Sequence, residues 1–157
     1  MQEITPVFNK IKFLLEENKV DYQLLEHGPV FTSEEAARIR GTKMEEGAKA
    51  IVFAADKKPI LIVVPGDKKV DIKTFKENYR IRDLRLLKPE EVKELTVLEI
   101  GAIPPFGNVM GLPTYADFGI TEKDRIVFNA GSHTRSVKMK AKDFIRLSNP
   151  IIGNFAK

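Results

Sequence analysis

Near the start of the chain, Val7, Phe8, Ile11, Leu14 and Leu15 recur at the spacing of one helix face, after Thr5-Pro6 and before Asn18. A hydroxyl residue followed by Pro starts helices, because the first turn has spare N–H groups for the hydroxyl and no use for the one that Pro lacks. The pattern predicts a first helix that stops at Asn18. From Val20 to Glu26, Tyr22 and Leu24 alternate with polar positions and predict a short strand. Thr32-Ser-Glu-Glu35 has the form of a capping box, with Ala36, Ala37 and Ile39 as the buried stripe of a second helix and Gly41 as its stop.

The middle of the chain changes period. Ala48 to Ala55 and Pro59 to Pro65 are apolar and β-branched, with Asp56-Lys57-Lys58 between them, which is the pattern of a hairpin. Asp71 to Asn78 reads as a short helix capped by Asp71, Asp83 to Leu87 as a strand, and Pro89 to Leu95 as a helix with Pro and an acidic first turn. Gly101 to Pro113 carries Pro104, Pro105, Gly107 and Gly111 besides its ends, so it predicts an ordered or functional loop rather than a regular element. Thr114 to Phe118, Arg125 to Asn129 and Thr134 to Met139 follow as strands, and Ala141 to Leu147 as a closing helix. Hairpins and single helices without βαβ alternation predict an α+β fold: a mixed, mostly antiparallel sheet with flanking helices.

Composition sets the limits. A chain of 157 residues, 43% hydrophobic and 31% charged, is expected to form a single domain over 1–157, since domains average roughly 150 residues. With no cysteine and two histidines, disulfide frameworks, thiolate zinc sites, iron–sulfur clusters and Cys nucleophiles are excluded. What remains for catalysis is positioning, backbone dipoles, hydroxyls, carboxylates and amines. The 26 Lys and Arg against 22 Asp and Glu give a net charge of +4, enough to favour a polyanionic partner without resembling a basic tail. The first residues lack a basic segment followed by an apolar run, and Ile60 to Pro65 is too short to span a bilayer, so a cytoplasmic protein with no membrane segment is expected.

Three places carry candidate chemistry. Strand alternation puts Lys49 on one face with Ile51 and Phe53, where its ammonium either snorkels to water or meets an anion such as a phosphate. Gly101-Ala-Ile-Pro-Pro-Phe-Gly107 joins glycines that allow close backbone approach to prolines that freeze the chain; it is either a rigid holder of backbone donors or an elaborate connection. Asn129-Ala-Gly-Ser-His-Thr-Arg-Ser136 gathers amides, hydroxyls and an imidazole in what is equally a hairpin turn. No G-x-S-x-G elbow surrounds Ser132, and Pro65-Gly-Asp-Lys-Lys69 lacks a P-loop, so serine-hydrolase and NTPase chemistry lose support. The clusters at Lys57-Lys58, Lys68-Lys69 and Arg80 to Arg85 read as solvated faces or contacts to a nucleic-acid backbone.

His27-Gly-Pro-Val-Phe-Thr-Ser-Glu-Glu-Ala-Ala37, Ala48-Lys-Ala-Ile-Val52, Leu61-Ile-Val-Val-Pro-Gly-Asp67, Gly101 to Gly107 and Gly131-Ser-His133, in this order, resemble the YbaK and prolyl-tRNA synthetase editing-domain family of aminoacyl-tRNA deacylases. The resemblance covers about Val20 to Leu147. It implies a free-standing trans-editing enzyme, without metal or cofactor, that hydrolyses the ester of a mischarged tRNA, with Ala or Cys on tRNA-Pro as the expected substrates. The implied partners are the aminoacylated tRNA 3′ end and an aminoacyl-tRNA synthetase. It implies catalytic roles for Lys49, at the 3′-terminal phosphate region; for Gly101, which with Pro105 matches a G-x-x-x-P loop; and for His133, at the pocket edge. Substrate contacts are implied for Phe31, Thr32, Pro104, Pro105, Phe106, Gly107, Gly131, Ser132 and Thr134. Such a meagre inventory suits an activated ester, whose hydrolysis needs a positioned water, a neighbouring ribose hydroxyl and amides aimed at the oxyanion. A non-catalytic module that binds tRNA or a synthetase through the same pocket is the alternative, and a hydrolase of small free esters is a third reading.

Overall fold

The computed structural model describes residues 5–157. Helix α1 (Pro6–Glu17) is capped by the Thr5 hydroxyl, which accepts the Phe8 N–H, and it buries Val7, Phe8, Ile11 and Leu15. Strand β1 (Tyr22–Glu26) and helix α2 (Ser33–Arg40) follow, the latter capped by Thr32 and ended by Gly41 in the left-handed region at φ +71°. Val20 lies outside β1 because its N–H closes the end of α1 on the Leu15 carbonyl, behind Lys19 at φ +54°.

β2 (Ala48–Ala55) and β3 (Lys58–Pro65) form the hairpin, in register from Ala48 opposite Pro65 to Ala55 opposite Lys58. The turn has two residues, Asp56 and Lys57, both at positive φ, as the twist of a tight hairpin requires. The Asp56 carboxylate steadies this strained pair by accepting the N–H groups of Arg82 and Asp83, bonds that hold its pKa below the usual carboxylate range. Then come α3 (Ile72–Tyr79), β4 (Leu84–Leu86), α4 (Pro89–Thr96), β5 (Thr114–Asp117), α5 (Phe118–Thr121), β6 (Arg125–Asn129), β7 (Arg135–Lys140), α6 (Ala141–Ser148) and β8 (Ile151–Gly153).

The strands form a five-stranded sheet in the order β4-β2-β3-β5-β8 and a three-stranded sheet in the order β1-β7-β6. The β3–β5 and β5–β8 pairings are parallel and the others antiparallel, so the α+β fold with mixed, mostly antiparallel sheets agrees with the sequence pattern. One face of the larger sheet, with Val52, Ala54, Leu61, Val63 and Ala116, shares the main core with Ile11 and Leu15 of α1, Phe128 of β6 and Phe144 of α6. The other face, with Phe53, Ile60, Ile62 and Val64, is closed by Phe75 of α3 and by Phe155, whose rings meet edge to face at 5.0 Å.

Two elements escape the hydrophobic pattern. The expected strand to Phe118 ends at Asp117, whose carboxylate caps α5 on the Gly119 N–H. The other oxygen of Asp117 accepts the N–H groups of Phe155 and Ala156 at 2.8 and 2.9 Å and thereby anchors the chain that follows β8. Asp117→Ala leaves three main-chain donors without this acceptor, and urea unfolding should show a loss of about 2–4 kcal/mol. An unchanged midpoint would mean that Asp117 does not hold the C-terminal strand in place.

Candidate active site

β2 carries a full ladder with β3 on one side and only a partial one on the other, where β4 pairs with Phe53, Ala54 and Ala55. The Leu87 N–H reaches the Val52 carbonyl at 3.2 Å, and beyond that point β4 no longer covers the edge. Main-chain groups alternate sides along a strand, so the N–H and C=O of Ala50 point the same way as the Val52 carbonyl. That uncovered edge is the floor of a cleft of about 520 Å³. Ala36, Ala37 and Arg40 of α2, Phe31 and Thr32 just before it, and Ile100, Gly101 and Ile103 line the cleft. Alanine methyls at 36, 37, 48 and 50 keep the space open.

Lys49 lines this cleft, half-buried. Burial lowers its ammonium pKa, the like charge of Lys69 lowers it further, and Asp67 partly opposes both. Gly101, which also lines the cleft, has φ +94°, and a Cβ there would stand 3.2 Å from His133 Nε2. That nitrogen donates to the Ile100 carbonyl at 3.0 Å, so the adjoining peptide is fixed. In a trans peptide the Gly101 N–H points opposite to that carbonyl, away from His133. The His133 ring also packs against Phe31, tilted by 40° with centroids 4.7 Å apart.

All the other expected residues but Thr32 lie behind this surface. Thr32 lines the cleft, but its hydroxyl caps α2 on the Glu35 N–H. Pro104 and Pro105 are buried, and Phe106 is fully enclosed, its ring 5.6 Å from Phe128 and 5.1 Å from Phe144. A Cβ at Gly107 would collide with the Thr114 side chain. Gly131, at φ +77°, packs against the start of α1 and accepts the Thr5 hydroxyl through its carbonyl. Ser132 Oγ is buried and accepts the Thr134 N–H at 3.0 Å, next to the Thr134 hydroxyl. These residues shape the site from within the core, whereas Phe31, Thr32, Lys49 and Gly101 face the cleft.

Hydrophobic patterning holds no sign of Arg40. Its Nη2 donates to Asn129 Oδ1 at 2.6 Å and its Nε to Ser136 Oγ at 2.8 Å, and burial lowers its pKa to about 10. Asn129 and Ser136 face each other in the β6–β7 register, and His27 Nε2 lies 2.7 Å from Ser136 Oγ. Asn129 Nδ2 in turn donates to the Gly101 carbonyl. The only prior signal was the polar density of the 129–136 run. Among the described residues, no group of three His, Cys, Asp or Glu is placed to hold a metal ion, and no helix is long and apolar enough to cross a membrane.

Residues 27–147 match the aminoacyl-tRNA editing domain. The chain belongs to this family. The editing domain is 33% identical, over 92% of its length and 89% of the relative's, to the multifunctional Ser/Thr-tRNA deacylase ProXp-y of Escherichia coli (strain K12). It is 30% identical, over 59% of its length and 58% of the relative's, to the prolyl-tRNA editing protein ProX of Acetoanaerobium sticklandii. Its fold matches a crystal structure described as a candidate trans-editing enzyme for prolyl tRNA synthetase, with a TM-score of 0.82 over 99% of both chains at 24% identity. In this editing domain Phe106 is accounted for by packing alone. Phe106→Ala should cost about 3–5 kcal/mol in urea unfolding, as a buried aromatic does; a loss below about 1 kcal/mol would move Phe106 out of the core and back toward the ligand.

Proposed function

We propose that this editing domain is a free-standing, cofactor-independent deacylase that acts in the cytoplasm on the ester of a mischarged aminoacyl-tRNA. The observation that carries the reading is that Lys49 and the Gly101 turn line one small cleft whose floor is alanine methyls and an uncovered strand edge. The ammonium of Lys49 suits the phosphate that precedes the terminal adenosine, and Phe31, 64% exposed at the rim, offers a ring face to a base. The Gly101 N–H serves as a donor to the ester carbonyl as its oxygen gains charge. Water adds to that carbonyl, the bond to the ribose oxygen breaks, the ribose hydroxyl recovers a proton, and the free amino acid leaves. The neighbouring ribose hydroxyl assists by holding the water, so no strong base is needed in the protein.

Methyls at 36, 37, 48 and 50 leave room for a small side chain and reject a large one, which favours Ala or Cys on tRNA-Pro, presented with or without a synthetase partner. A second reading, Ser or Thr as the residue removed, draws on the likeness to ProXp-y and on the polar groups of Arg40 and Asn129 at the cleft wall. Deacylation of tRNA charged with Ala, Cys, Ser, Thr and Pro, read as release of the labelled amino acid, separates the two readings. Turnover of none, with retained binding, would replace the enzyme by a binding module. Equal turnover of the isolated 3′ fragment would favour a hydrolase of small esters.

On the best substrate, Lys49→Ala should lose about 2–3 kcal/mol of transition-state binding, roughly 30- to 150-fold in kcat/KM, as for one hydrogen bond to a charged group. Wild-type activity in this variant would end the role given to Lys49. The reactive form of Lys49 is the cation, and its pKa lies below the ordinary lysine range. After subtraction of spontaneous ester hydrolysis, kcat/KM should therefore fall as pH rises, at a lower pH than a free lysine would give. Lys49→Arg should remove this limb, because a guanidinium stays charged.

A further inference from the structure

Two side chains grip consecutive carbonyls of the turn that carries Gly101. His133 Nε2 holds Ile100 and Asn129 Nδ2 holds Gly101. A glycine at φ +94° has wide conformational freedom, and each adjoining peptide can rotate unless its carbonyl is bound. Asn129 is itself locked. Its Oδ1 accepts Arg40 Nη2 at 2.6 Å and Ser136 Oγ at 3.3 Å, so a flipped carboxamide would turn its own N–H groups onto a guanidinium. Arg40 stands on the last turn of α2, and it lines the cleft as Gly101 does. The bonds Arg40 to Asn129 to Gly101 thus tie α2 to the Gly101 turn. Arg40 makes these bonds to neutral oxygens, an amide and a hydroxyl, although its charge is largely removed from water.

We infer that Asn129, oriented by Arg40 and Ser136, is a positioning residue that sets the Gly101 turn, so that the Gly101 N–H meets the developing oxyanion. The inference rests on the deacylase reading for its kinetic consequence, and on the structure alone for the order of the turn. Arg40 acts here through Asn129 and not as a phosphate contact.

Asn129→Asp is the sharpest test. The carboxylate keeps the shape and pairs with Arg40, but it cannot donate to the Gly101 carbonyl and repels it. Two readings are taken. In the substrate-free protein, amide hydrogen exchange over residues 99–103 should speed up at least 10-fold, including the Ala102 N–H that is bonded to the Glu99 carbonyl. On the best mischarged tRNA, kcat should fall roughly 10- to 100-fold with KM within about twofold, the mark of a misplaced rather than a missing contact. Arg40→Lys, which keeps the charge but loses the fork, should move both readings in the same direction and serves if Asn129→Asp fails to fold. Unchanged exchange in both variants overturns the inference whether or not the wild type turns over any tRNA. So does a rise in KM with kcat intact and a shallower salt dependence in Arg40→Lys, which would make Arg40 a direct anion contact. An inactive wild type with accelerated exchange in the variants keeps the positioning of the turn and removes only the deacylase reading.

Discussion

Strand β2 is hydrogen-bonded along its whole length to β3 but along only part of its length to β4, and the cleft follows from that inequality. An exposed strand edge is ordinarily a liability, because its unpaired N–H and C=O groups invite another strand. Here the edge lies in a cleft of about 520 Å³ that residues of α2 and of the segment carrying Gly101 also line. The isolated bridge between Gly47 and Val127 joins β2 to the smaller sheet below the opening, and the Leu87 bond to Val52 closes it above.

The polar groups around the cleft obey the rule that buried donors and acceptors must be paired. Arg40, Asn129, Ser136 and His27 satisfy one another in a chain that ends on the Gly101 carbonyl. Lys49 is only half-buried, and its lowered pKa reflects a charge short of water and near the like charge of Lys69. A cation held in that state gains more from an incoming anion than a solvated lysine does. The site therefore combines a wall fixed by hydrogen bonds from the Arg40 guanidinium with one half-buried ammonium. That combination suits an activated ester attached to a phosphodiester chain, where positioning supplies most of the rate and no metal or thiolate is called for.

The likeness to a solved structure at 24% identity and a TM-score of 0.82 shows how little of the sequence must be kept to hold this fold. Volume and pattern in the two cores on either side of the larger sheet, together with a few caps such as Thr5, Thr32, Asp71 and Asp117, suffice to place the elements. Residues in the 101–107 segment illustrate the division. Gly101 reaches the cleft, whereas Phe106 and Gly107 fix the loop by packing against Phe144 and Thr114.

Local pattern in the sequence determined most of the elements: the stripe from Val7 to Leu15, the box from Thr32 to Glu35 and the two apolar runs around Asp56 are short-range signals that need no distant partner. It also determined that Lys49 sits oddly in an apolar strand and that Gly101 begins an unusual loop. The parallel pairing of β3 with β5, the three-residue β8 and the short α5 were decided by the tertiary structure, because they are stabilised by contacts with distant segments and leave almost no periodicity. The same holds for the Arg40–Asn129–Gly101 chain. Residues 40, 101 and 129 are far apart in sequence, and nothing local tells a guanidinium whether it will end in water or against an asparagine. Hydrophobic patterning is encoded residue by residue; a polar site exists only once folding has brought its donors and acceptors within hydrogen-bond reach.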